Sequence, residues 1–168
     1  MKKFTKIPIK SNTLNKDMAL NNSNEELIKE ILIITDQDFN LNYDIYHNKD
    51  HQKSYLKVNV ISLKKAVCQI KAKAVISNDA KDCDSEIKIE SFILEESSVE
   101  ATPILEINFN EVSAKHAFST NYLENSQITY LRSKGLNNDQ IYKLILKARY
   151  KIDLDKISLN KGIYYAER

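Results

Sequence analysis

Few side chains in this chain could hold a soft or borderline metal: it has three histidines and two cysteines. His116 is the leading candidate. Imidazole suits iron, and it binds in its neutral form near physiological pH. The alternative reading is a structural histidine at a strand-to-helix junction. Cys83 is a weaker candidate, as an exposed ligand across an interface. It stands between Asp82 and Asp84 in a polar stretch, and those carboxylates would raise the thiol pKa and make it a poor nucleophile. Cys68 falls at an inward position of an alternating strand and reads as a small core hydrophobe. His47 and His51 are spaced i, i+4 but flank a turn between strands, so both read as solvated turn residues, as do Glu95, Glu96 and Glu100. The sequence has no CxxC or Cys/His spacing of a closed metal site. Any metal site would therefore be shared between subunits and held transiently. It also lacks the GxxxxGK[ST] phosphate loop and the GxSxG nucleophile elbow, so this chain is expected to bind no nucleotide itself and not to be an enzyme.

The elements that must position these residues are mostly strands. Leu41, Tyr43 and Ile45 alternate with polar neighbours. So do Leu56, Val58 and Val60; Cys68, Ile70, Ala72, Ala74 and Ile76; Ile87 and Ile89; and Leu105, Ile107 and Phe109. Period-two alternation is the signature of a half-buried strand. Pro103 stands just before the strand of Leu105, Ile107 and Phe109, where a missing N–H costs least. The strand centres recur about every fifteen to seventeen residues, which fits either a meander or a β-solenoid. In a solenoid the inward set would be Leu56, Val58, Val60, Ile70, Ala72, Ile87, Ile89, Leu105 and Ile107. The run Ile31 to Ile34 could end a helix or form a buried strand.

Residues 1–23 are rich in Lys, Asn and Ser and read as a flexible arm. Asn24 can cap a short helix over residues 25–28. The β core spans residues 24–123 and a helical segment residues 124–150. Asn125 or Ser126 can cap a helix over Gln127–Ser133 that Gly135 stops. Asn138 can cap a second from Asp139 to about Tyr150, with Ile141, Leu144, Ile145 and Ala148 on one apolar stripe. That stripe could cover one end of a solenoid, with Lys143, Lys147 and Arg149 and with Tyr142 and Tyr150 on the other face, a possible partner surface. Residues 151–168 form a tail without clear periodicity.

Of 168 residues, 42% are hydrophobic and 29% charged, which fits one soluble domain with a real core. The net charge of +2 is spread rather than clustered and does not argue for nucleic acid. No apolar run approaches the length of a membrane span. Without an export signal, a cytoplasmic location and free thiols are expected. With only two glycines and two prolines, Asn, Asp, Lys and Ser must carry the turns.

The stretch Thr102–Gly135 carries a family resemblance. Pro103, Leu105, Glu106 and Ile107 are followed without gaps by Glu111-Val112, by Ala114-Lys115-His116, and by Tyr130-Leu131-Arg132-Ser133-Lys134-Gly135-Leu136. This resembles the SufB/SufD family, the scaffolds of SUF iron–sulfur cluster assembly, whose pattern runs P-x-L-E-I, then D-V-x-A-S-H-G-A-T, then Y-L-x-S-R-G-[LI]. The Ala-x-His form looks more like SufD than SufB. Ala117-Phe118-Ser119 stands in place of the family's Gly-Ala-Thr. The resemblance covers residues 30 to 150, in a chain shorter than typical members. It implies a right-handed parallel β-helix with a small C-terminal helical segment. It implies a dimer with itself or a SufB-like paralogue, with His116 near the shared interface as an iron or transient iron–sulfur cluster ligand. It also implies a SufC-type ABC ATPase as partner, docking on residues 125–150, where Tyr130, Arg132, Lys134, Tyr142, Lys143 and Lys147 are the candidate contacts. The alternative is an interaction module of the same fold without the cluster site.

Overall fold

The computed structural model describes residues 5–7, 12–108, 111–150 and 162–167. The alternating stretches become strands β4 (Phe39–His47), β5 (Lys53–Ser62), β6 (Val67–Ile76), β7 (Cys83–Ile93) and β8 (Ser98–Ile107), and β2 (Thr13–Leu20), β3 (Glu26–Thr35) and β9 (Val112–Tyr122) join them. Successive strands belong to different sheets. One sheet runs β2-β4-β6-β8 and the other β3-β5-β7-β9, all parallel. Two strands per coil make a parallel β-solenoid of four coils, and the fifteen-to-seventeen-residue recurrence is half a coil.

Like stacks on like through the coils. Ile31, Val58, Ile89 and Phe118 are in register on one sheet, and Leu41, Ile70 and Ala101 on the other. The inner faces form one core of buried aliphatic residues with Phe39 and Tyr43. Each fully buried aliphatic side chain stabilises the fold by about 1.5–3 kcal/mol. The expected inward residues of β5, β6 and β7 are all buried, whereas Leu105 is half-buried and Ile107 exposed because they lie in the last coil.

The apolar run Ile31–Ile34 is strand. Ile31 and Ile33 face the solenoid core, while Leu32 and Ile34 face a second core on the outer side of the same sheet. A strand covered on both faces reads as a continuous hydrophobic run. The second core joins Leu32, Ile34, Ile61, Phe92 and Leu94 to Ile141 and Tyr142.

The turns replace glycine with stacked left-handed residues. Asn24, His51 and Asp82 repeat at one corner with φ of 60°, 60° and 51°, and Lys64 and Glu95 at another with 60° and 61°. Each corner is tied to the next coil. The N–H groups of Asn24, His51 and Asp82 donate to the carbonyls of Asp50, Lys81 and Glu111. The Asp50 carboxylate accepts from the Lys81 N–H at 2.7 Å, and the Glu95 carboxylate from the Lys64 N–H at 2.7 Å. Satisfied backbone groups offset the cost of a Cβ in this region.

Several expectations are corrected. From Thr13 the expected arm is strand β2, paired along its length with β4. The expected helix over 25–28 is the start of β3, because pairing with β5 and burial on both faces outweigh local helix signals. His116 does not lie at a strand-to-helix junction but inside β9. Phe109 lies outside the described residues. Within the expected tail, Gly162–Glu167 forms strand β10, antiparallel to β3, and β1 (Thr5–Ile7) pairs antiparallel with β10.

Two helices follow β9: α1 (Asn125–Ser133) and α2 (Asn138–Tyr150). The cap of α1 is Glu124, whose N–H donates to Gln127 Oε1 at 3.3 Å. Gly135, at φ 85°, ends the turn after α1, and the Leu136 N–H reaches back to the Leu131 carbonyl. Asn137, not Asn138, caps α2: its Oδ1 accepts from the Gln140 N–H while Gln140 Oε1 accepts from the Asn137 N–H, both at 2.9 Å. The apolar stripe is rotated from the expected one. Ile141 and Tyr142 are buried, whereas Leu144 and Ala148 are exposed. The helices cover the outer face of the β3-β5-β7-β9 sheet rather than an end of the solenoid.

Candidate functional site

The end of the solenoid formed by β8 and β9 is open. Each strand is the last of its sheet, with no neighbour on its far side among the described residues. Its inner face shows what a fifth coil would otherwise cover. His116 and Phe118 continue the columns of Ile87 and Ile89, and Pro103 and Leu105 those of Ala72 and Ala74. The residues one coil earlier are fully buried, whereas His116 is exposed and Phe118 is 40% exposed.

His116 is oriented. Its Nδ1 lies 3.2 Å from the Pro103 carbonyl oxygen. A carbonyl only accepts, so Nδ1 carries the proton and the neutral ring keeps its lone pair on Nε2. A backbone carbonyl behind one ring nitrogen is the support that metal-binding histidines use. Pro103 itself lies within β8, not before it, and its place there has a simple cause. The Ser98 N–H donates to the Ala66 carbonyl and the Asn108 N–H to the Ile76 carbonyl. Even-numbered residues of β8 therefore pair with β6, and odd-numbered ones turn their backbone groups to the free edge. Proline at 103 costs no ladder bond.

The cysteines do not join this site. Cys83 opens β7 and is buried, with its thiol donating to the Lys49 carbonyl at 3.3 Å. Burial pushes its pKa up first, with Asp50 and Asp82 adding to the rise. The expected exposed ligand is thus a buried thiol. Cys68 is buried as expected, its thiol 3.7 Å from Ser62 Oγ, and burial raises its pKa. Among the described residues no group of three or more His, Cys, Asp or Glu could hold a metal ion. One chain offers a single ordered imidazole, which fits an iron or cluster cargo only if other ligands come from elsewhere.

His47 and His51 part company. His51 is exposed in its turn, Nδ1 3.7 Å from Asp82. His47 is fully buried, contrary to the solvated reading, because it closes β4 on its inner face. Its Nε2 is 2.9 Å from Ser54 Oγ, which is 2.9 Å from Ser85 Oγ one coil on. Its Nδ1 is buried without a hydrogen bond. Burial lowers the His47 pKa, opposed in part by the Gln52 backbone and the Asp84 charge.

The candidate partner residues divide. Tyr130 is exposed, with the Lys134 ammonium 5.4 Å from its ring centre. Arg132 donates twice to Asn138 Oδ1, at 3.1 and 2.9 Å, joining α1 to α2. Lys147 is exposed and Lys143 half-buried. Tyr142 is not a surface residue: its ring packs in the second core and its hydroxyl donates to Glu95 at 3.2 Å. Exposed Leu144 stands beside the lysines, and exposed Tyr122 with Tyr130 flanks a cleft of about 560 Å³ between β9 and α1. Sequence reasoning missed Tyr122 because β9, open on its inner face, lacks a strict apolar alternation.

No helix among the described residues is long and apolar enough to cross a membrane. No curated protein is significantly similar to the chain. The model of the family described as "SUF system FeS cluster assembly, SufBD core domain" matches residues 8–149. That span takes in every coil of the solenoid, the open end with His116 and nearly all of the helical pair, and by it the chain belongs to the SufBD core family of SUF iron–sulfur cluster assembly.

Proposed function

We propose that this chain is a SufD-like, non-catalytic scaffold subunit of a cytoplasmic SUF complex. A second scaffold subunit, SufB-like or another copy, meets it at the open end of the solenoid. There His116 Nε2 supplies one ligand to a nascent iron–sulfur cluster, carried as cargo. A SufC-type ABC ATPase docks on the helical pair through Tyr130, Arg132, Lys134, Lys143 and Lys147, with Leu144 between the lysines, and supplies the work of nucleotide hydrolysis. The observation that carries this reading is one exposed imidazole, held by a carbonyl, at an end whose strand edges and apolar interior are uncovered. Such edges are otherwise an aggregation hazard.

The burial of both cysteines favours a second reading, a module that keeps the same partners without the cluster. Anaerobic co-expression with the SufC-type ATPase and SufB-like scaffold, with iron and acid-labile sulfide assayed on the purified complex, decides between them. The first reading expects iron and sulfide in the complex, and their loss in His116→Ala with assembly intact. A complex that forms without iron or sulfide supports the module, and absence of any complex refutes both.

A further inference from the structure

Pro103 does two things at the open end that no side chain could do. Its carbonyl, turned toward the free edge of β8, receives Nδ1 of His116 at 3.2 Å. Its ring nitrogen carries no hydrogen, so this point of the edge offers no donor to an incoming strand. The neighbouring odd-numbered residues Ala101 and Leu105 keep both groups and can pair with an added strand. At 103 the pairing is interrupted, and the carbonyl stays with the imidazole.

We propose that Pro103 is the positioning residue of His116: its carbonyl fixes the Nδ1–H tautomer, and its missing N–H keeps that carbonyl out of strand pairing, so that Nε2 stays aimed outward as a free donor. The inference rests on the proposed function for the purpose of that donor, but not for its geometry. An imidazole in water favours the opposite, Nε2–H tautomer, which makes the arrangement measurable. A proline in an edge strand also guards against unwanted pairing; here the same interruption coincides with the only exposed histidine on the inner face of the described solenoid.

The test uses the whole chain, free of iron, at a pH well above the ordinary imidazole pKa of about 6.5. Long-range nitrogen–proton correlation spectra report which ring nitrogen is protonated, with His116→Gln identifying its signals. Cobalt(II) titration, followed on the ring protons of His116, gives the relative affinity of Nε2. The wild type should show Nδ1–H. Pro103→Ala keeps the carbonyl and gains an N–H, so the free variant should still show Nδ1–H. In the complex with the second scaffold subunit, where a strand can pair at 103, its tautomer should shift toward the solution mixture. Its cobalt affinity there should fall about tenfold relative to the wild-type complex, the low end of the loss when a supporting partner is withdrawn. An Nε2–H tautomer in the wild type overturns the proposal. So does a Pro103→Ala complex with the tautomer and affinity of the wild-type complex. If Nδ1–H and the cobalt loss are both found while the co-expressed complex carries no iron, the positioning stands and the cluster-holding reading falls.

Discussion

The helical pair hangs on few residues, and truncating one of them should release it without melting the solenoid. Ile141 of α2 has no exposed surface, and it enters a core made by Leu32, Ile34, Ile61, Phe92 and Leu94 on the outer sheet face. Ile141→Ala should cost about 3 kcal/mol, the middle of the range for emptying a buried aliphatic site. Tyr142→Phe keeps the ring and removes only the bond to Glu95. Glu95 is exposed and rehydrates, so the cost should be about 1 kcal/mol. Leu144, 49% exposed, should cost within about 0.5 kcal/mol on truncation. Because four coils of parallel ladder do not depend on α2, the loss should appear as local opening. Amide hydrogen exchange reads it directly: at 1.4 kcal/mol per factor of ten, α2 amides should exchange roughly a hundredfold faster in Ile141→Ala. Those of β5 and β7 should change far less. Equal acceleration in Leu144→Ala and Ile141→Ala would show that the stripe is not rotated as described. Equal acceleration in β5 and α2 would show that helix and solenoid unfold together.

Further predictions concern the solenoid. A buried neutral His47 with its pKa lowered by burial binds fewer protons folded than unfolded. Its contribution to stability is whole above the unfolded value of about 6.5 and is lost as pH falls through the folded value. Urea midpoints measured downward from neutral pH should therefore fall, and His47→Gln should flatten that dependence. At His51, φ 60° and exposed, valine should destabilise by about 1–3 kcal/mol and glycine should be neutral or stabilising, as thermal melts would register. Both thiols should resist iodoacetamide in the native protein at neutral pH and react together once it is unfolded, because both are buried with raised pKa values.

The middle coils were legible because both of their neighbours are present. Every alternating run from Leu41 to Ile89 met a coil on each side, so the pattern of burial matched the pattern of sequence. At the ends this reciprocity fails. β2 carries Lys16 and Asp17 on an edge that needs less apolar surface, and it reads as a polar arm. β9 carries His116, Ser119 and Asn121 on an uncovered strand, and it reads as an approach to the helices. His47 was misread for another reason: its spacing to His51 places it near a turn, but the last residue of a strand can still point inward, and only the partner at Ser54 distinguishes the two. His116 was found through the family pattern, whereas the carbonyl that orients it has no sequence signal beyond the proline.

The antiparallel strand at the first coil has a consequence for growth. An end that exposes parallel edges in both sheets, facing a beginning that did the same, would let copies stack head to tail without limit into a fibre. Here β10 and β1 reverse the direction of one sheet at that beginning. A copy arriving there meets the short edge of β1 in one sheet and the edge of β2 in the other, so a parallel copy does not find the two matching parallel edges that the other end presents. The open end at β8 and β9 therefore finds no matching parallel end on another copy, which works against head-to-tail growth.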